Sequence, residues 1–272
     1  MSRAGVAAAR SSSAATAPDG SFLVARRQGL IALLVVAVVG FVAIAVDVTQ
    51  HGVLERHDAR VGLWVVAHTP HALERVANVM TKLGGAWSLV TLTALGAGLL
   101  LHRGRRLDAT FLVGGLALVS LVTNGLKIAF GRPRPAIGYL TPVSHTASFP
   151  SGHTSGSLVV FVLLAVLLAT RHRNAVIAAA VLLAATVGVT RVVVEAHWTT
   201  DVLAGYCLGA AVVAAVLIVL DGLRLVPSVG PEGERKARQG GHEERESTDR
   251  PFAEHRAHDL VPVGDLAEPQ RR

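Results

Sequence analysis

Of the 272 residues, 51% are hydrophobic and only 4% aromatic, with a mean hydropathy of +0.48, which fits a bundle of Ala/Val/Leu helices in lipid better than a soluble core. A formal net charge of +7 would suggest nucleic acid in a soluble protein, but here the arginines stand beside apolar runs, where they act as orientation signals and headgroup contacts, so no nucleic-acid partner is expected. The single cysteine, Cys207, excludes an intramolecular disulfide, and no Cys/His pattern for a structural zinc is present.

In chain order, residues 1–27 read as a flexible Ala/Ser/Arg-rich tail, 28–222 as a membrane domain and 223–272 as a disordered, charged cytoplasmic tail. The first apolar run, Leu30–Val46, reads as a retained span; the small residues Ala43 and Ala45 leave a cleaved signal peptide as the competing reading. Five further runs follow at about Ala86–Leu101, Leu107–Ile128, Thr154–Thr170, Ala175–Val194 and Val202–Leu220. A helix of about 20 residues crosses a hydrocarbon core of about 30 Å, so the expectation is an all-α integral membrane protein with six transmembrane helices. Segment 47–85 is long for a plain loop and reads as partly interfacial helix, with Trp64 as a headgroup-level anchor. Gly205 and Gly209, four apart, allow close helix packing without requiring dimerisation.

Short basic loops set the orientation. Arg103, Arg105, Arg106, Arg171, Arg173, Arg26, Arg27 and Arg224 fall on one side if both termini are cytoplasmic. Segments 47–85, 129–153 and 195–201 then share the opposite face.

Three groups of polar residues gather on that face, where ionisable side chains near helix ends are costly. The first runs from Lys127 to Pro135, Lys-Ile-Ala-Phe-Gly-Arg-Pro-Arg-Pro. Its cations Lys127, Arg132 and Arg134 repel one another unless an anion sits between them; snorkelling to lipid phosphates is the alternative. The second is Pro150-Ser151-Gly152-His153, directly before a helix. A helix N-terminus offers free N–H groups, Gly152 admits a phosphate close to the backbone, and Ser151 adds a hydroxyl. In the third, Thr190-Arg191 precedes His197 and Asp201, which are one helical turn apart. An aspartate on Nδ1–H fixes the imidazole tautomer and leaves Nε2 as a nucleophile.

These residues resemble the type-2 phosphatidic acid phosphatase superfamily, whose pattern is K-x-x-x-x-x-x-R-P, then P-S-G-H, then S-R-x-x-x-x-x-H-x-x-x-D. Lys127 with Arg134-Pro135, then Pro150-Ser151-Gly152-His153, then Arg191 with His197 and Asp201 follow it at every spacing. Thr190 stands where the family has serine and keeps a hydroxyl; Glu195 adds a negative charge, either beside the site or as an exposed loop residue.

The resemblance implies a membrane lipid phosphatase without cofactor or metal. Lys127, Arg134, Arg191, Ser151 and the Gly152 backbone hold the phosphate, and His197 attacks phosphorus. Asp201 orients His197, and His153 protonates the leaving group. Phosphatidate, phosphatidylglycerophosphate and undecaprenyl diphosphate all fit as substrates. A non-catalytic lipid-binding or transport protein, or a phosphotransferase, remains an alternative on the same residues.

Overall fold

A computed structural model describes residues 20–136 and 146–225. The helices are α1 (Gly20–Thr49), α2 (Val53–His68), α3 (His71–Met80), α4 (Ala86–His102), α5 (Arg106–Phe130), α6 (Gly152–Leu168), α7 (Arg173–Val193) and α8 (Thr199–Leu225), with a short 3-10 turn at Thr81–Gly84 before α4. The compact unit ends at Arg224. The flexible and disordered tails expected at 1–27 and 223–272 fall mostly outside the described residues. Where they are described, α1 begins at Gly20 and α8 runs to Leu225, so helix extends past both expected limits. At those two ends Arg26 pairs with Asp221 at 3.4 Å.

The helix boundaries have local causes. Asp47, near the end of α1, accepts the Leu54 and Glu55 N–H groups at 3.3 and 2.8 Å and so caps the start of α2. Gly131 ends α5 in the left-handed conformation (φ +57°), and its N–H donates to Lys127 O at 3.0 Å. The prolines after it forbid continuation. Segment 47–85 holds two helices and a 3-10 turn, and Trp64 is exposed and stacked on His68 at 4.7 Å.

The interior forms around α6. Val159, Val162, Leu163 and Leu167 of α6 meet Leu100 of α4, Leu112 and Val119 of α5, and Leu208, Val212 and Val216 of α8. On another side Val160 and Phe161 meet Ala184 and Val187 of α7. The outward side chains are apolar too: Val36 and Val39 on α1, Leu121 and Ile128 on α5, and Leu182 on α7 are exposed. A bundle that is apolar outside as well as inside belongs in lipid.

Among the described residues four helices are long and apolar enough to cross a membrane: Arg26–Thr49, Arg106–Phe130, Arg173–Val193 and Thr199–Arg224. His71–Gly84 with Ala86–His102, bent by 47°, makes a fifth. The expected crossing at Thr154–Thr170 is the helix Gly152–Leu168, which at 17 residues falls short of a full span. Its start is fixed by Ser151, whose N–H donates to Asp201 O at 3.0 Å, and neighbouring helices surround it, so little of it has to meet lipid. On length and composition, therefore, the described residues count four to five crossings, and a sixth is not established.

The helix directions sort the charges. The starts of α5 and α7 and the ends of α4, α6 and α8 share one end of the bundle: Arg105 donates to Leu167 O at 2.6 Å and pairs with Asp108 at 2.6 Å, and Asp108 also takes Arg224. The other end carries Lys127, Gly152, Arg191 and Thr199 at the termini of α5, α6, α7 and α8.

Candidate active site

The loop after α5 is built around two arginines with different tasks. Arg134 donates from Nε to Thr146 O and from Nη2 to Thr146 Oγ1, each at 3.0 Å. Its Nη1 reaches Ala196 O at 2.8 Å and lies 3.4 Å from His197 Nε2. A guanidinium fixed beside that nitrogen is a donor available to an anion brought there. Arg132 turns inward instead. It is buried and donates from Nη1 to Asp201 Oδ1 at 2.7 Å and from Nη2 to Asp58 Oδ2 at 2.8 Å.

The Pro150–His153 segment is locked from both sides. Ser148 N donates to Arg132 O at 2.8 Å, Ser148 Oγ to Pro133 O at 3.0 Å, and Ser151 N to Asp201 O at 3.0 Å. Ser151 is fully buried, and its hydroxyl accepts from Thr154 Oγ1 at 3.0 Å. Gly152 opens α6, so its backbone lies at the helix N-terminus. His153 is packed against the 3-10 turn: a Cβ on Gly84 would come within 3.2 Å of its carbonyl oxygen.

The third segment carries the histidine–aspartate pair. His197 is buried, with Nδ1 at 3.4 Å from Asp201 Oδ2, an oxygen that also accepts the Trp198 N–H at 2.9 Å. Burial pushes the His197 imidazole down to about 4, although the hydrogen bond and charge of Asp201 act the other way. The free ring is thus neutral near pH 7, with Nε2 facing Arg134. Arg191 donates to Thr81 Oγ1 at 2.8 Å, and its Nε is buried without a hydrogen-bond partner among the described residues. Lys127 lies within electrostatic range of Arg134, Asp201 and Arg191, and His153 within range of Arg191, His197, Lys127 and Arg134. All eight residues expected from the sequence thus gather at one end of the bundle.

Two expectations change in detail. Glu195 is buried with a positive φ of +55°, so the exposed-loop reading does not hold. Thr190 Oγ1 donates to Val187 O at 2.6 Å, so the hydroxyl shared with the family's serine turns to its own helix. Arg132, expected beside Lys127 and Arg134 around an anion, is instead matched by two carboxylates, Asp201 and Asp58, the second of which has no motif in the sequence. Nothing local marks Asp58, whose partner Arg132 is 74 positions away.

Beside the site a cavity of about 290 Å³ runs between α4, α5 and α6, lined by Lys127, Asn124, Ser120 and His153 above apolar Leu89, Leu116 and Val119. Among the described residues no group of three or more His, Cys, Asp or Glu side chains is arranged to hold a metal ion.

Fold and site together define a multi-pass, all-α membrane protein with partly buried cations gathered at the same end as a buried histidine. A sequence model of the PAP2 superfamily matches residues 108–224. A lipid A 1-phosphatase of Rhizobium etli is 33% identical over 199 residues, spanning 65% of this chain and 82% of that protein. A phosphatidylglycerophosphatase B of Bacillus subtilis is 31% identical over 144 residues, 50% of this chain and 70% of that one. The crystal structure of a transmembrane PAP2-type phosphatidylglycerolphosphate phosphatase from Bacillus subtilis superposes with a TM-score of 0.63 at 25% identity, covering 73% of this chain and 98% of that chain. Aquifex aeolicus LpxE shares the fold, with a TM-score of 0.50 at 23% identity over 59% of this chain and 94% of that one. The chain belongs to the PAP2 superfamily of membrane lipid phosphatases.

Proposed function

We propose that the chain removes phosphate from lipid monoesters or diphosphates through a phosphohistidine at His197. The observation that carries this reading is the placement of His197, with Nδ1 toward Asp201 and Nε2 at 3.4 Å from the Arg134 guanidinium. The neutral imidazole attacks phosphorus in line, the N–P bond forms, and the bond to the leaving oxygen breaks. Lys127, Arg134 and Arg191 neutralise the equatorial oxygens, with the Ser151 hydroxyl and Gly152 N–H beside them. His153 gives its proton to the leaving oxygen, then takes one from the water that frees inorganic phosphate. The three cations take the charge-neutralising part a metal would otherwise play, so turnover is expected to be unaffected by chelator.

The substrate proposed is a lipid whose phosphate lies at the bilayer surface, with its apolar part in the cavity between α4, α5 and α6. Lipid A 1-phosphate and phosphatidylglycerophosphate come from the relatives' names; phosphatidate and undecaprenyl diphosphate share the chemistry. The six-crossing plan, with α6 as the short sixth and both termini cytoplasmic, puts the site on the non-cytoplasmic face. The arginine-rich end opposite the site supports that orientation.

The test is phosphate release by purified protein from each of these lipids, with His197→Ala as the blank. Trapping of acid-labile, base-stable phosphate on the wild type alone is expected. Equal turnover by both proteins would remove the nucleophile from the scheme.

A further inference from the structure

Asp58 is an aspartate buried to 3% exposure on α2, outside residues 108–224 that match the family. Its Oδ1 accepts the Thr200 N–H at 3.0 Å, in the first turn of α8, the helix that carries Asp201. Its Oδ2 takes Arg132 at 2.8 Å and the Thr200 hydroxyl. Arg132 in turn holds Asp201 Oδ1 at 2.7 Å, while Asp201 Oδ2 faces His197. A chain of charge thus runs Asp58–Arg132–Asp201–His197 through a buried site. Glu55, about a quarter exposed at 26%, makes a longer pair with Arg132 at 3.8 Å.

The order of charges matters. A carboxylate supports a histidine best when its negative charge is not already spent elsewhere. Arg132 alone would draw charge from Asp201, the carboxylate that faces a ring that becomes positive when Nε2 is phosphorylated. Asp58 cancels that cation, so the three groups together carry one net negative charge toward His197. In a low-dielectric interior such a charge is felt strongly.

We propose that Asp58 is a positioning residue for phosphoryl transfer: by neutralising Arg132 it leaves the charge of Asp201 available to the His197 imidazole. The proposal rests on the phosphatase reading above. Asp58 touches no reacting atom; it acts through Arg132 and Asp201.

The test uses the full chain and phosphatidate in mixed micelles, comparing Asp58→Asn, Arg132→Gln and the double variant. Asn keeps an oxygen for the Thr200 N–H but loses the charge. Asp58→Asn is expected to lower kcat by about 10- to 100-fold, as loss of a group behind a functional histidine commonly does, with KM within about threefold. Removing the arginine as well is expected to recover about tenfold of that loss, because the cation that then leans on Asp201 is gone. A scaffolding role alone predicts no recovery. Wild-type kcat in Asp58→Asn, or a double variant no better than the single, would overturn the proposal while leaving the phosphatase reading intact. A wild type inactive on every lipid phosphate would overturn both.

Discussion

At the Arg105 end of the bundle, cations meet carboxylates: Arg26 with Asp221, and Arg105 and Arg224 with Asp108. At the His197 end, Arg132 is matched by Asp58 and Asp201, but Lys127, Arg134 and Arg191 have no carboxylate within salt-bridge distance among the described residues. Both ends place charge beside an apolar interior, and both pay the desolvation cost. One end recovers that cost within the folded chain. The other leaves three cations without a carboxylate near a histidine, an arrangement that favours an incoming anion.

Mutations can break this contrast. The largest effect is expected from His197→Ala, which should lower phosphate release by about a thousandfold or more, as loss of a nucleophile does. Arg134→Ala and Arg191→Ala should each cost about 100- to 1,000-fold in kcat/KM, the scale of losing one donor to a transition-state oxygen. Vanadate protection against proteolysis should weaken in the same two variants. Arg105→Ala should leave turnover within about twofold and cost about 1 kcal/mol of stability, read as a lower melting temperature, since its partly exposed pair does structural work only. A hundredfold loss of turnover at Arg105 would erase the distinction between the two ends.

The pH profile gives a smaller but sharper test. The neutral imidazole is the nucleophilic form, and His197 takes up its proton only near pH 4 in the free enzyme. After correction for substrate ionisation, kcat/KM should therefore not fall as pH drops through the ordinary histidine value of about 6.5. An acid limb centred there and removed by Asp201→Asn would mean that His197 titrates normally.

Much of this molecule was legible beforehand. Hydropathy located every apolar helix from α4 to α8 within a few residues, because lipid leaves the backbone little choice but helix. Residues at fixed short spacings, such as His197 and Asp201, announced that their side chains meet. The length of α6 was not legible, since an apolar run does not reveal which helices surround it. Asp58 was hidden for a related reason: its meaning lies in Arg132 and Thr200, and contacts between distant segments leave no periodic trace. The burial of Glu195 depends likewise on a left-handed turn that its residue type does not advertise.

The glycines of α8 carry a practical consequence. A Cβ on Gly205 would come within 2.8 Å of Ser151 O, and one on Gly209 within 3.0 Å of Ser155 O. The two helices therefore touch backbone to backbone just where Ser151 meets Asp201. The distance between the Ser151–His153 segment and the His197–Asp201 pair is set by this seam, and a seam without long side chains has little slack. Harsh detergents, which pry helices apart before they unwind them, should silence the enzyme while its circular dichroism is still intact. Solubilisation conditions for this protein are better chosen by turnover than by helicity.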